Sequence, residues 1–116
     1  MAGTFTAKVL TNGTVLSTST ALVYTVPSST TGHGVIIQVV NPGTNTQQLM
    51  VYVQPSGASN DAAADLWIDS ANIPADGQIY QFTVGIMDTG DFIRAKQVAS
   101  AIGTAMNLRI IGVEET

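Results

Sequence analysis

The sequence predicts an all-β fold, an antiparallel β-sandwich of about eight strands with a jelly-roll or related Greek-key topology. Apolar residues alternate with polar ones along most segments, which is the period-two pattern of strands with one buried face. Signals rich in Gly, Pro, Asn and Asp separate these segments about every 8–12 residues. Helical crossover segments are absent, which disfavours a parallel sheet. The 116 residues are expected to form a single domain, residues 1–116.

Two strands and a hairpin turn are predicted at the start of the chain. Residues 4–10 and 21–26 alternate apolar and polar side chains. Asn12 and Gly13 form the dipeptide most typical of a tight hairpin, because both residues tolerate positive φ. Residues 14–19 then follow as a short polar edge segment.

The most apolar segment is residues 35–40, which only Gln38 interrupts. Residues 28–34 before it, rich in Ser, Thr and Gly, are predicted to be a loop. A run without alternation is typical of a central strand covered on both sides, by a second sheet or by a neighbouring subunit. The candidate interface residues are therefore Val35, Ile36, Ile37, Val39 and Val40.

The rest of the chain is predicted to supply the remaining strands, at residues 46–54, 66–69, 78–86, 92–96 and 105–114. Loops are predicted at residues 58–65, 70–77 and 98–103, and the alanine-rich first loop is expected to contain at most one helical turn. Along residues 78–86, one face is predicted to carry Tyr80, Phe82, Val84 and Ile86.

The sharpest turn signal is Asp88-Thr89-Gly90-Asp91. An aspartate at a turn start can accept a hydrogen bond from the backbone two residues on, and glycine adopts positive φ without strain. Two nearby carboxylates are also the arrangement used in glycoside hydrolysis. The turn geometry accounts for them more simply, so Asp88, Gly90 and Asp91 are predicted to form a structural turn.

Composition argues against several classes of function. Without cysteine, the chain can form neither disulfides nor thiolate metal sites. The net charge is −4 and the four basic residues are dispersed, so the basic stripe of a nucleic-acid-binding protein is missing. No apolar run reaches the ~18 residues of a membrane span, and the first residues lack the pattern of a signal peptide. Synthesis in a cytoplasm is therefore expected.

One histidine and three aspartates are the candidates for reactive or cation-binding groups. His33, between two glycines, is the only candidate general base near neutral pH, but the sequence indicates no carboxylate to orient it, so a surface loop histidine is expected. Asp61, Asp65 and Asp69 recur every four residues yet lack the calcium-loop pattern, so solvated loop carboxylates are expected.

Three aromatic residues have the character of a sugar-stacking platform, Trp67, Tyr52 and Tyr80. Aromatic residues on strands more often pack in a core or an interface. Trp67 is the candidate ligand contact. The sequence predicts no catalytic, cofactor-binding or metal site, and a protein that is not an enzyme is expected.

Four segments form an ordered series, Leu-Val-Tyr-Thr-Val-Pro at 22–27, Gly-Val-Ile-Ile-Gln-Val-Val-Asn at 34–41, Gly-Asp-Phe-Ile-Arg-Ala at 90–95 and Leu-Arg-Ile-Ile-Gly-Val-Glu at 108–114. The series covers about residues 20–115 and resembles small tailed-bacteriophage virion structural proteins of the capsid decoration or cement type. The resemblance implies a β-sandwich on the capsid surface, made in the host cytoplasm, with no catalytic residues. The implied partners are the major capsid protein and further copies of the chain, as a homo-trimer or dimer, with neither nucleic acid nor membrane.

The function expected from these observations is a capsid decoration protein that stabilises the head through oligomeric interface burial. The alternative is a receptor- or carbohydrate-binding module of a phage tail fibre or spike, with Trp67 and residues 56–77 at its site. A small β-sandwich hydrolase is a third interpretation, and it requires a carboxylate paired with His33.

Overall fold

The computed structural model describes residues 3–98 and 105–116, and within these ranges the chain forms two four-stranded antiparallel sheets. Its strands are β1 (Phe5–Val15), β2 (Ala21–Thr25), β3 (Thr31–Val40), β4 (Gln47–Gln54), β5 (Leu66–Ile73), β6 (Ile79–Met87), β7 (Phe92–Val98) and β8 (Asn107–Glu115).

Sheet 1 has the strand order β1-β8-β3-β6, and sheet 2 has the order β2-β7-β4-β5. Apart from the β4–β5 hairpin, each connection passes from one sheet to the other, which is the jelly-roll arrangement. The predicted antiparallel β-sandwich is therefore confirmed. Residues 58–65 contain a single 3-10 turn, Ala63–Asp65, as expected. None of the described residues form a helix long and apolar enough to cross a membrane.

The core lies between the sheets and follows the period-two pattern. On β3, Val35, Ile37 and Val39 are at most 1 % exposed. The strands facing or flanking them contribute further fully buried side chains, including Ile93 on β7, Leu49 and Val51 on β4, and Leu108 and Ile110 on β8.

The hairpin predicted at Asn12-Gly13 is wrong. β1 runs through both residues and remains paired with β8 on either side of them. The register shifts between Thr11 and Thr14, and Gly13 has a φ of +40°. The same tolerance of positive φ that marks a hairpin turn therefore serves a bulge here.

Strands β3, β5 and β6 also differ from the prediction. β3 begins at Thr31, so His33 lies on a strand instead of in a loop. β5 continues to Ile73, past the predicted end. On β6, Gly85 has a φ of +99° and the register with β3 shifts beside it, so Ile86 is 68 % exposed while Met87 is buried. Ile86 therefore does not share the face of Tyr80, Phe82 and Val84. The loop predicted at residues 98–103 lies, apart from Val98, outside the described residues.

Residues 88–91 form the corner that takes the chain from β6 in sheet 1 to β7 in sheet 2. The amide of Asp91 donates to the carbonyl of Asp88 at 3.0 Å. The carboxylate of Asp91 accepts from the amides of Asp88 at 2.9 Å and Ser56 at 3.2 Å. The side chain that braces the corner is thus that of Asp91, whereas the sequence pattern assigned this role to Asp88.

Gly90 provides a test of this corner. Its φ is +83°, and a Cβ there would lie 2.6 Å from the Ser56 Oγ. Gly57 has a φ of +82°, but a Cβ at that position would meet no other atom within 4 Å. We expect Gly57→Ala to lose about 1–2 kcal/mol of unfolding free energy through left-handed strain. Gly90→Ala should lose more, because strain and steric overlap add. Urea denaturation measures both, and equal losses would contradict the contact with Ser56.

Candidate functional site on the outer face of sheet 1

Strand pairing arranges the outward side chains of sheet 1 in rows. The central row runs from Val9 on β1 through Ile111 on β8 and Ile36 on β3 to Thr83 on β6. Because neighbouring residues on a strand point to opposite faces, residues beside fully buried positions point outward. Ile36 follows buried Val35, and Ile111 follows buried Ile110.

Large exposed hydrophobic side chains concentrate on this face. Among the described residues, five of the seven such side chains belong to sheet 1: Phe5, Val9, Val15, Ile79 and Ile86, which are 46–68 % exposed. Sheet 2 carries the other two, Leu22 and Trp67. We call the outward apolar set of sheet 1 the outer apolar face, comprising Phe5, Val9, Val15, Ile36, Val40, Ile79, Ile86, Ile111 and Val113. The polar row of Arg109, Gln38 and Gln81 crosses this set between the row of Val40 and Ile79 and the row of Ile36 and Ile111. Large exposed apolar side chains gathered on one face are typical of interaction sites.

The candidate interface residues on β3 divide between two surfaces. Val35, Ile37 and Val39 fill the core between the sheets, so a partner cannot reach their side chains. Ile36 and Val40 are half-buried on the outer apolar face. β3 is a central strand, between β8 and β6, as predicted. Sheet 2 covers only its inner face, so its outer face is free to contact another molecule.

His33 has the carboxylate partner that the sequence did not indicate. Its Nε2 lies 2.8 Å from Oε1 of Glu115 on β8, and its ring centroid lies 5.7 Å from that of Phe5. The predicted loop position of His33 is wrong, because the residue lies on β3. The sequence did not indicate Glu115 as a partner, because it lies 82 residues further along the chain. A catalytic triad would also need a nucleophile bonded to the imidazole. None of the described hydroxyl groups forms a hydrogen bond with His33.

The three spaced aspartates are held by three separate partners. Asp61 accepts from the Arg94 Nε at 2.9 Å, Asp65 from the Gln54 Nε2 at 2.8 Å, and Asp69 from the Ser70 hydroxyl at 3.1 Å. The described residues contain no cluster of three or more metal-ligating side chains.

The aromatic trio is divided between the sheets. Tyr80 lies on β6 of sheet 1, packs against the core, and donates its hydroxyl to Asp76 at 2.6 Å. Tyr52 and Trp67 lie on adjacent strands of sheet 2, and Trp67 is 42 % exposed on the edge strand β5. The three rings therefore cannot form one platform, and Trp67 remains the exposed member.

A buried polar cluster joins the two sheets, and sequence reasoning missed it. The hydroxyl of Tyr24 on β2 donates to Glu114 Oε2 at 2.7 Å, and the Lys8 Nζ lies 2.6 Å from Glu114 Oε1. Glu114 is only 6 % exposed. Every second residue of β8 faces inward, as Leu108 and Ile110 do, and continuing this alternation through residue 112 reaches Glu114. The sequence pattern therefore indicated an inward-facing Glu114.

The charges of this cluster follow from its contacts. Burial acts to raise the pKa of Glu114, but the hydrogen bonds from Lys8 and Tyr24 and the charge of Lys8 outweigh it, so the pKa is lowered. Burial, the hydrogen bond to Glu114 and its negative charge all raise the pKa of Tyr24. Glu114 is therefore ionised and Tyr24 neutral near pH 7.

The comparisons with known proteins show similarity at the level of the fold. No family model matches the chain, and no curated protein matches it. A subunit of the Bacillus endospore appendages, described as disulfide-linked pili, shares 13 % identity with a TM-score of 0.53, over 98 % of this chain and 89 % of that chain. A chain of infectious bursal disease virus, strain Gx, shares 10 % identity with a TM-score of 0.50, over 97 % of this chain and 32 % of that chain. A chain of the cyanophage Pam1 capsid shares 18 % identity with a TM-score of 0.47, over 98 % and 86 % of the two chains.

The lowered pKa of Glu114 predicts how stability depends on pH. Because its pKa is lower in the folded protein than in the unfolded chain, the unfolded chain takes up the proton first as the pH falls. The stabilisation is present above the ordinary value of 4.5 and is lost as the pH falls through the folded-state pKa. We expect the unfolding free energy of the wild type to fall more steeply over this window than that of Glu114→Gln.

Urea denaturation between neutral and acidic pH measures the difference. The control is Asp88→Asn, which removes an exposed carboxylate of equal charge and should leave the wild-type slope in place. Parallel pH profiles for the wild type and Glu114→Gln would contradict the assignment.

Proposed function

We propose that the protein is a non-enzymatic virion structural protein of the capsid decoration or cement type. The observation that supports it best is the outer apolar face, a sheet surface with five large hydrophobic side chains that are 46–68 % exposed. Such a face is costly in water and becomes stabilising when another molecule covers it. The proposed partners are identical copies of the chain, as a trimer or dimer, and the major capsid protein.

The mechanism is interface burial on a rigid scaffold. Each 100 Å² of apolar surface removed from water contributes about 2.5 kcal/mol before the cost of association is subtracted. Eight paired strands present this surface with little flexibility to lose. Repetition of the contact around a shell would stabilise the head against the pressure of packaged DNA.

Charge and motif order support a position on the outside of the capsid. Charged residues are only 10 % of the chain, which suits a surface buried between neighbours. The net charge of −4 suits a surface that does not touch the genome. The motif order over residues 20–115 resembles that of virion proteins of this type.

We predict that lysine substitutions at Ile86 and at Leu22 differ in their effect on self-association and capsid binding. Ile86 is 68 % exposed on β6 of sheet 1, and Leu22 is 54 % exposed on β2 of sheet 2. Both lie on edge strands, so lysine at either site should leave folding nearly unchanged. We expect Ile86→Lys to weaken self-association and capsid binding about tenfold or more, because it buries an unpaired charge. Leu22→Lys should behave as the wild type.

Two measurements check this prediction. The first is the native mass of the purified protein as a function of concentration. The second is the thermal stability of capsids that lack the protein, before and after each variant is added back. The proposal is wrong if the wild type neither binds such capsids nor raises their heat stability, or if the two lysine variants behave alike.

The second candidate is a receptor- or carbohydrate-binding module, and the surroundings of Trp67 favour it. The loop before Trp67 is held by Gln54, which is 1 % exposed and hydrogen-bonds to Ser59, Asp61 and Asp65. A rigid loop beside an exposed indole is an arrangement suited to stacking on a sugar ring.

Trp67 provides the test of this candidate. We expect Trp67→Ala to abolish any signal on a glycan array and Trp67→Phe to retain part of it, because the smaller ring still stacks. Absence of glycan binding by the wild type, or full binding by Trp67→Ala, would remove this candidate.

A further inference from the structure

A cleft of about 270 Å³ opens on the outer face of sheet 1, next to the bulge in β1. All four strands of the sheet contribute to its wall. The side chains that matter for its chemistry are Asn12, Gln38, Val40, Ile79, Asn107 and Arg109.

Arg109 brings a positive charge that no described residue neutralises through an ion pair. Among the described residues, Lys8 pairs with Glu114 and Arg94 pairs with Asp61, whereas Arg109 and Lys96 form no ion pair. None of the described residues that line the cleft is acidic. The carboxylate of Asp76, just before β6 in the chain, accepts from the Tyr80 hydroxyl at 2.6 Å and the Gln78 amide at 3.0 Å and does not line the cleft.

A chain of two hydrogen bonds fixes the guanidinium of Arg109. Its Nε donates to the Gln38 Oε1 at 3.0 Å, and the Gln38 Nε2 donates to the Gln81 Oε1 at 2.9 Å. This contact uses one of the five N–H donors of the guanidinium. The remaining donors form a planar fork whose geometry matches a carboxylate.

Apolar side chains line the cleft in the row of residues next to the row that contains Arg109. Val40 and Ile79 are paired across β3 and β6 in the row next to that of Gln38. Two residues along a strand span about 7 Å, so a short ligand can reach the guanidinium and the wall together. The carboxamides of Asn12 and Asn107 offer further donors and acceptors at the same end.

We propose that this cleft binds a carboxylate carried on a short apolar body. The guanidinium of Arg109 receives the carboxylate, and Val40 and Ile79 cover the apolar part. A single cation beside an apolar wall suits this ligand better than a phosphate group, which carries more charge. The ligand is either a free carboxylic acid or an acidic side chain of a polypeptide. The inference does not depend on the proposed role in a virion.

The test is a nuclear magnetic resonance titration of the full chain with isocaproate and with the capped peptide acetyl-Leu-Glu-Leu-amide. At millimolar concentrations, we expect shifts of the Arg109 Nε–H signal and of the Val40 and Ile79 methyl signals. Isocaproamide and the matching glutamine peptide, which lack the charge, should shift them far less. Binding by the acid alone assigns the site to small molecules, and binding by the peptide assigns it to a polypeptide; either supports the inference.

Two variants and a matched control locate the binding. We expect Arg109→Gln to weaken binding about tenfold or more, because a charge-assisted hydrogen bond is lost. Gln38→Glu should weaken it similarly, because it gives Arg109 an internal carboxylate of nearly the same shape. Lys96→Gln removes the other lysine or arginine that forms no ion pair with the described residues; it lies on sheet 2, so the variant should bind as the wild type.

The inference is overturned if neither carboxylate shifts the three signals. It is also overturned if the uncharged analogues shift them equally, or if Lys96→Gln loses as much affinity as Arg109→Gln. In that last case, only the net charge of the protein would matter. Unchanged backbone spectra in all three variants establish that folding is not the cause.

Discussion

A β-strand in a two-sheet sandwich can bury only one of its faces, and this constraint determines the surface of the protein. β3 carries apolar side chains on both faces: Val35, Ile37 and Val39 fill the core, while Ile36 and Val40 remain outside. Its neighbour β8 repeats the pattern with Ile110 inside and Ile111 outside. Because sheet 2 covers sheet 1 on one side only, these outward rows remain in contact with water until another molecule covers them. The proposal of an assembly protein rests on this excess of apolar residues over available core.

The outer apolar face also depends on how the edge strand β1 is held in place. β1 supplies Phe5, Val9 and Val15 to the face, yet none of its residues is fully buried. Besides its pairing with β8, two polar contacts attach it to the rest of the sandwich: the bond from Lys8 to buried Glu114, and the bond from the Thr11 hydroxyl to the Val23 carbonyl at 2.7 Å. Since Glu114 also accepts from Tyr24 of sheet 2, one carboxylate links the edge strand, sheet 1 and sheet 2. The charged cluster at the end of the core therefore supports the apolar surface on its outside.

Local pattern predicted the fold class and most strands, because alternation and turn residues act over a few positions. It failed at two glycines with positive φ that form bulges: a turn was predicted at Gly13, and unbroken alternation was predicted through Gly85. Only the pairing with the neighbouring strand reveals a bulge. Local pattern also missed the contacts that join distant segments, such as His33 with Glu115 and Arg109 with Gln38. For the candidate site, the apolar run of β3 was visible in the sequence. Which of its residues face outward became known only from the register of β8 and β6.

The central claim is that the outer apolar face is covered in the assembled particle. Hydroxyl-radical footprinting of the free protein and of capsids carrying it measures this side chain by side chain. We predict that five side chains of sheet 1 lose most of their reactivity on assembly, while Leu22 and Trp67 on sheet 2 keep theirs. The five are Phe5, Val9, Val15, Ile79 and Ile86. Protection of Leu22 and Trp67, with the sheet 1 residues unchanged, would contradict the central claim.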